Sequence, residues 1–213
     1  MAHITVIGGT GYAGAAIVAE AAARGHRVTA MARSVPMVPI DGVAYLQGSA
    51  LSADLRARAI AGAEAVITAT APRGDMVDKQ VELSQLLMES AIESGARLIV
   101  VGGYSSLRPA PGQPRFVEGE VAEQYRIEAQ AGHAVLESLL AAPAELDWTF
   151  VSPAASFGAW VPGEATGTYR VGGDVAMVDE DGKSFISAPD FAMAIVDLVD
   201  AGAHHREHIS VIG

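Results

Sequence analysis

The chain has 213 residues, half of them apolar and 18% charged, with a formal net charge of −11 and no cysteine. That length fits one domain with a sizeable core, and the composition lies well away from disorder. The charge argues against a nucleic-acid or anionic-membrane footprint, and the missing cysteines exclude disulfides, thiolate catalysis and cysteine-ligated metal.

Apolar strand-like runs alternate with helix-like segments. HITVI (3–7) reads as a strand, Tyr12–Arg24 as an alanine-rich helix stopped by Gly25, HRVTAM (26–31) and VAYLQ (43–47) as the second and third strands. Ser52–Ala61 reads as a short helix and AVITAT (65–70) as the fourth strand. Asp75–Ser94 carries a helical apolar period ended by Gly95, and RLIVV (97–101) is strand five. Glu120–Leu140 is the next helix and DWTFVS (147–152) the next strand. Beyond Pro153 the rhythm gives way to a turn-rich region: residues 168–178 resemble a hairpin, Ser187–Asp190 a capping box opening a helix to about Val199, and ISVI (209–212) a last strand. Short strands without strict alternation suggest a parallel sheet buried on both faces. The expectation is an α/β, Rossmann-like doubly wound single domain, with a dinucleotide-binding core over 1–152 and a substrate-side excursion over 153–213. No secretory leader pattern and no membrane-length apolar run is visible, so a cytoplasmic protein is expected.

VIGGTGYAGAAI (6–17) is the strongest motif. Its glycines fit G-x-x-G-x-x-G as Gly8, Gly11 and Gly14, and G-x-G-x-x-G starting from Gly9. Small residues there allow a tight strand-to-helix turn and close approach of a pyrophosphate, which the helix N-terminus attracts through free N–H groups. Gly8, Thr10, Gly11, Tyr12, Ala13 and Gly14 are therefore the expected phosphate-side contacts. At the end of the second strand, where NAD-binding sites usually place an acid, the chain has Arg33 and Ser34. A guanidinium there can pair with a 2′-phosphate, so NADP(H) is favoured over NAD(H).

The whole chain resembles the atypical short-chain dehydrogenases with an NAD(P)H-binding domain, most nearly the NADH-flavin reductases related to biliverdin reductase B and to NmrA-like proteins. The residues that carry this are VIGGTGYAG, RLIVVGGYSSL (97–107), LDWTFVSPAASF (146–157), TGTYRVGGD (166–174) and GKSFISAPDFAMAIVDLVD (182–200). The resemblance implies a nicotinamide site lined by Ala69, Thr70 and Ala71, by Gly102 and Gly103, and by Pro153, Ala154 and Ala155, with Ser105 facing substrate. Where the family has glycine-aspartate after strand three this chain has Gly48-Ser49, so an adenine contact there falls to the Ser49 hydroxyl. Tyr104 and Ser106 stand where smaller residues are expected, which alters the substrate mouth.

Many nicotinamide-dependent reductases activate a tyrosine with a lysine four residues on. Here Tyr125 is followed by Ala129, and neither Lys79 nor Lys183 stands at that spacing from a tyrosine. Reducing a ketone develops alkoxide charge and calls for a proton donor, whereas an isoalloxazine delocalises the charge and can take its proton from solvent. Hydride transfer from NADPH to a flavin (FMN or FAD) as dissociable substrate fits these residues. So does an NmrA-like sensor that binds the dinucleotide without chemistry, and an epimerase or dehydratase is a third reading. The expected partner is a small-molecule acceptor, with no nucleic acid or membrane and a homodimer left open. Ser105 and Ser106 read equally as acceptor contacts or as turn residues, Arg73 as a phosphate or solvent contact, Asp190 as a cap, and the proline-rich stretch 105–120 as a lid or a static loop. His204, His205 and His208 fall in an expected C-terminal loop without carboxylate spacing, so no metal site is expected.

Overall fold

The computed structural model describes residues 1–213, apart from the side chain of Asp75. Its strands are β1 (His3–Ile7), β2 (Arg27–Ala32), β3 (Ala44–Gln47), β4 (Ala65–Thr68), β5 (Arg97–Val101), β6 (Trp148–Pro153), β7 (Arg170–Gly172) and β8 (Glu207–Ile212). Between them lie α1 (Tyr12–Ala23), α2 (Ala53–Ile60), α3 (Gln80–Ser94), α4 (Glu123–Leu140) and α5 (Ala188–Ala201). The strands form one sheet in the order β3-β2-β1-β4-β5-β6-β8-β7, parallel except for β7 at the edge. The chain runs outward from β1 to β3 and then returns to β4 on the other side of β1. That reversal makes the topological switch point at the C-terminal ends of β1 and β4, where ligands gather in open α/β sheets.

Every residue of β1, β4 and β6 is buried, because helices cover both faces of the sheet. One layer packs α1 and α5 through Ile17, Val18, Phe191, Ile195 and Val196. The other packs α2, α3 and α4 through Ile60, Leu83, Leu87, Val135 and Leu136, over Trp148 and Phe150 of β6. This is the Rossmann-like doubly wound architecture that the alternating pattern implies.

Most predicted boundaries lie within one or two residues of the observed ones; three departures have identifiable causes. The helix expected from Asp75 starts at Gln80. Gly74 sits at φ +60 and the chain first makes short i→i−3 bonds, Val77 N–H to Gly74 and Lys79 N–H to Met76. The α pattern sets in only when Leu83 N–H reaches the Lys79 carbonyl. The helix expected from Glu120 starts at Glu123, after an extended Gly119 and a 3-10 turn over Phe116–Glu118. Residues 168–178 are not a hairpin. Arg170–Gly172 pairs antiparallel with β8, while Val175 bridges to Arg108 far upstream.

Candidate functional site

The glycine loop joins β1 to α1 at the switch point. The N–H groups of Gly8 and Gly9 both reach the Met31 carbonyl at 2.8 and 3.1 Å, and Gly11 N–H turns back onto the Gly8 carbonyl at 3.0 Å. Gly8 has φ +84, a conformation only glycine adopts freely. A Cβ at Gly14 would lie 2.1 Å from the Gly8 oxygen, so the first helical turn rides directly on the loop. This geometry selects the Gly8, Gly11, Gly14 frame; Gly9 instead packs against Ala30. No side chain caps α1 and its first turn holds no acidic residue among those described. The helix dipole and the first-turn N–H groups are thus left for an anion, the arrangement a dinucleotide pyrophosphate needs. Thr10, Tyr12 and Ala13 are partly exposed around it. The Tyr12 ring lies edge-on to Phe157 at 5.3 Å, and Phe157 packs on Phe191 of α5.

Arg33 and Ser34 follow β2 and are exposed on the same edge of the sheet; the Arg33 carbonyl accepts from the Gln47 amide at 3.2 Å. Ser49 is exposed just beyond β3, and its hydroxyl accepts from Leu51 N–H at 3.3 Å, a turn contact. After β4, Ala69, Thr70 and Ala71 are half-buried, and the Ala69 carbonyl backs directly onto Gly8. Gln80, buried at the start of α3, donates to the Thr70 carbonyl at 3.3 Å and to its hydroxyl at 3.1 Å. That anchor escaped the sequence reading, which placed residue 80 inside a helix already begun.

After β5, Gly102 N–H is held by the Val151 carbonyl at 2.8 Å, and Gly103 is exposed with open space where a side chain would stand. Tyr104–Ser106 forms a single 3-10 turn. The turn separates the two serines: Ser106 is 1% exposed, whereas Ser105 is only half-buried. Tyr104 stacks on Phe116 at 5.1 Å, and burial pushes its hydroxyl pKa up. Pro153 and Ala154 are buried at the end of β6, and together with Tyr104, Leu107 and Met177 they line a small apolar depression. Ala155 is exposed and its N–H meets the Ser184 hydroxyl at 3.1 Å.

Other sequence candidates fall elsewhere. Tyr125 is 54% exposed on α4 while Ala129, one turn on, is buried. Arg73 forms a bidentate pair with Glu128 and lies 5.8 Å from the centre of the Trp160 ring. Asp190 accepts from Thr166, Gly167 and Ser187, and its carboxylate does not return to the Ser187 N–H as a capping box requires. The stretch 105–120 is stitched to the chain around 174–176: Arg108 N–H donates to the Asp174 carbonyl and Ala176 N–H to that of Arg108, each at 2.8 Å. His208 is not in a loop. It sits in β8, 9% exposed, with Nδ1 3.1 Å from Arg115 and Nε2 2.9 Å from Ser152. The alternation His208-Ile209-Ser210-Val211 was the available signal, since it puts His208 and Ser210 on one face of a strand. Among the described residues no group of three or more His, Asp or Glu could hold a metal, and no helix is long and apolar enough to cross a membrane.

A family model described as NAD(P)H-binding matches residues 8–201. The chain belongs to this NAD(P)H-binding family. The match takes in Gly8, Gly11 and Gly14 of the loop and runs through α5. The NAD(P)H-binding chain is 32% identical to YwnB of Bacillus subtilis over 98% of its own length and 97% of that protein. A Streptococcus pneumoniae structure named as a candidate NADH-flavin reductase superposes with a TM-score of 0.88 at 31% identity, covering 100% of this chain and 99% of that one. A Burkholderia pseudomallei structure named as a candidate exported protein superposes with a TM-score of 0.87 at 36% identity, with 100% of both chains covered. The likeness spans nearly the full length of each chain.

Proposed function

We propose that the protein is an NADPH-dependent reductase of the cytoplasm that delivers hydride to a flavin or flavin-like acceptor lying over the nicotinamide. The observation that carries this reading is the composition of one end of the sheet. The uncapped α1 N-terminus and the Gly8–Gly14 loop lie at the same C-terminal end of the parallel sheet as the open Gly103 and the half-buried Ser105, while Tyr125 is turned outward on α4. The reduced nicotinamide, when bound, supplies the hydride. The chain's residues bind and orient: the α1 N-terminus takes the pyrophosphate, Arg33 the 2′-phosphate, and the segments 69–71, 102–103 and 153–155 surround the ring. Ser105 donates a hydrogen bond to an acceptor carbonyl. An isoalloxazine spreads the incoming charge over its ring system and takes its proton from water, so the missing tyrosine–lysine pair is no obstacle. The name given to the streptococcal relative supports the same acceptor class.

The test is NADPH and NADH oxidation with added FMN or FAD, on the wild type and on Arg33→Ala. Arg33→Ala is expected to weaken NADPH binding by about 1.5–3 kcal/mol, the range for a charge-assisted contact, and to leave NADH nearly unchanged. Equal losses for both cofactors would remove Arg33 as the NADP determinant. Tight NADPH binding without turnover of either flavin would favour the sensor reading instead.

A further inference from the structure

Beneath the Tyr104–Ser106 turn runs a buried chain of polar groups that the binding of a dinucleotide does not require. A guanidinium can only donate, so the Arg115 contact at 3.1 Å makes His208 Nδ1 the acceptor and puts the imidazole proton on Nε2. Nε2–H then donates to Ser152 Oγ at 2.9 Å, and the single Ser152 proton is free for the Gly103 carbonyl at 2.8 Å. Arg115 also donates to the Ser106 carbonyl at 2.7 Å. The turn, closed on itself by Ser106 N–H to Gly103 at 3.2 Å, is therefore held by both of its terminal carbonyls from one source. Arg115, His208 and Ser152 are 5%, 9% and 0% exposed, so each link is shielded from competing water. Asp174 faces Arg115 at 3.4 Å and Arg108 at 2.8 Å, and fixes the head of the chain.

We infer that His208 is a positioning residue: through Ser152 and Arg115 it fixes the Gly103–Ser106 turn and thereby the placement of Ser105 against the bound acceptor. The inference rests on reading this strand end as the site of hydride transfer. The polarity of the chain is one-way, from guanidinium to imidazole to hydroxyl to carbonyl, and a neutral imidazole is the only ring state that fits it. Burial, and then the Arg115 charge, push His208 down to about 3, in keeping with that state.

The experiment compares wild type, Ser152→Ala, His208→Phe and His208→Gln by amide hydrogen exchange, by the fluorescence of bound NADPH, and by kcat and KM for FMN. Gln keeps an acceptor toward Arg115 and a donor toward Ser152; Phe and Ala break the chain at different links. Ser152→Ala and His208→Phe are expected to speed exchange at the Ser106 and Leu107 amides at least tenfold, with the β1 and β4 amides within about twofold. They should lower kcat about tenfold with NADPH affinity kept, and shift the bound-nicotinamide emission; His208→Gln should restore most of each. If His208→Phe does not fold, Ser152→Ala alone decides. Exchange at the turn and nicotinamide emission that match wild type in Ser152→Ala would overturn the inference, as would acceleration spread evenly over the sheet. Absence of any flavin turnover in the wild type would sink the proposed acceptor, while the exchange and emission readouts would still decide the role of the chain.

Discussion

At the residue scale, Gly8, Gly11 and Gly14 of the loop stand under different constraints, and the difference separates a test of folding from a test of binding. Gly8 is held at φ +84, and a Cβ on Gly14 would overlap the Gly8 carbonyl at 2.1 Å. Substituting either disturbs the β1–α1 junction itself and costs about 1–3 kcal/mol or more through overpacking and strain. Gly11 is exposed, with φ −75 and ψ 175, which any residue can adopt, and its added Cβ would sit 3.3 Å from the Gly8 oxygen, a contact relieved by a small shift. Gly11 is itself the N-cap residue of α1, so a branched side chain there stands at the uncapped helix start. Gly11→Val is therefore expected to keep its circular dichroism spectrum and lose only about 0.5–1 kcal/mol as a poorer N-cap. Its binding of both NADPH and NADH should fall at least a hundredfold by calorimetry. Unaltered binding by the folded variant would move the phosphate site away from this loop.

At the scale of elements, Asp190 joins α5 to a loop remote in sequence. It is 2% exposed and accepts from the N–H groups of Thr166 and Gly167, from the Thr166 hydroxyl and from Ser187. Burial pushes its carboxyl pKa up, but the bonds from Ser187, Thr166 and Gly167 outweigh that and hold it below the usual carboxylate value. Ser187 meanwhile caps α5 by accepting Asp190 N–H at 3.1 Å. Asp190→Ala would remove the hydrogen bonds that the Thr166 and Gly167 N–H groups make to a buried carboxylate, bonds to a charged group being worth about 1.5–3 kcal/mol each. The variant is expected to lose about 2–4 kcal/mol in urea unfolding with the m-value unchanged, and its amide exchange should quicken at Thr166 and Gly167 first. A loss under about 1 kcal/mol would mean that water replaces the carboxylate.

At the scale of the whole molecule, the sequence was legible where order is local and opaque where it is not. The strand–helix rhythm through β6 follows from runs of apolar residues and their turn residues, and the glycine loop from spacing alone. The C-terminal third depends on pairings between distant segments, Arg170–Gly172 with β8 and Arg108 with Val175, for which one chain carries no periodic signal. His208 was grouped with His204 and His205 by adjacency, yet the strand sends it inward while His205 stays outside against Asp147. The two histidines consequently act on stability in separate pH windows. His205 is raised above its ordinary value by the Asp147 carboxylate, so its contribution is full below pH 6.5 and fades as pH rises through its folded pKa; its exposure keeps that contribution small. His208 is depressed to about 3, so its contribution is full above 6.5 and is lost as pH falls toward 3, because the unfolded chain takes up a proton that the folded one refuses. Asp190 and Asp197, both held below the usual carboxylate value, act at lower pH in the same direction. The difference in unfolding free energy between wild type and His208→Gln isolates the imidazole. Between pH 4 and 6 it is expected to rise with pH at close to 1.4 kcal/mol per unit, one proton's worth, and to flatten above 7. Urea titrations at half-unit intervals measure it, and a difference constant across that range would mean that folded His208 takes up a proton as the unfolded chain does, leaving no ring nitrogen to accept from Arg115.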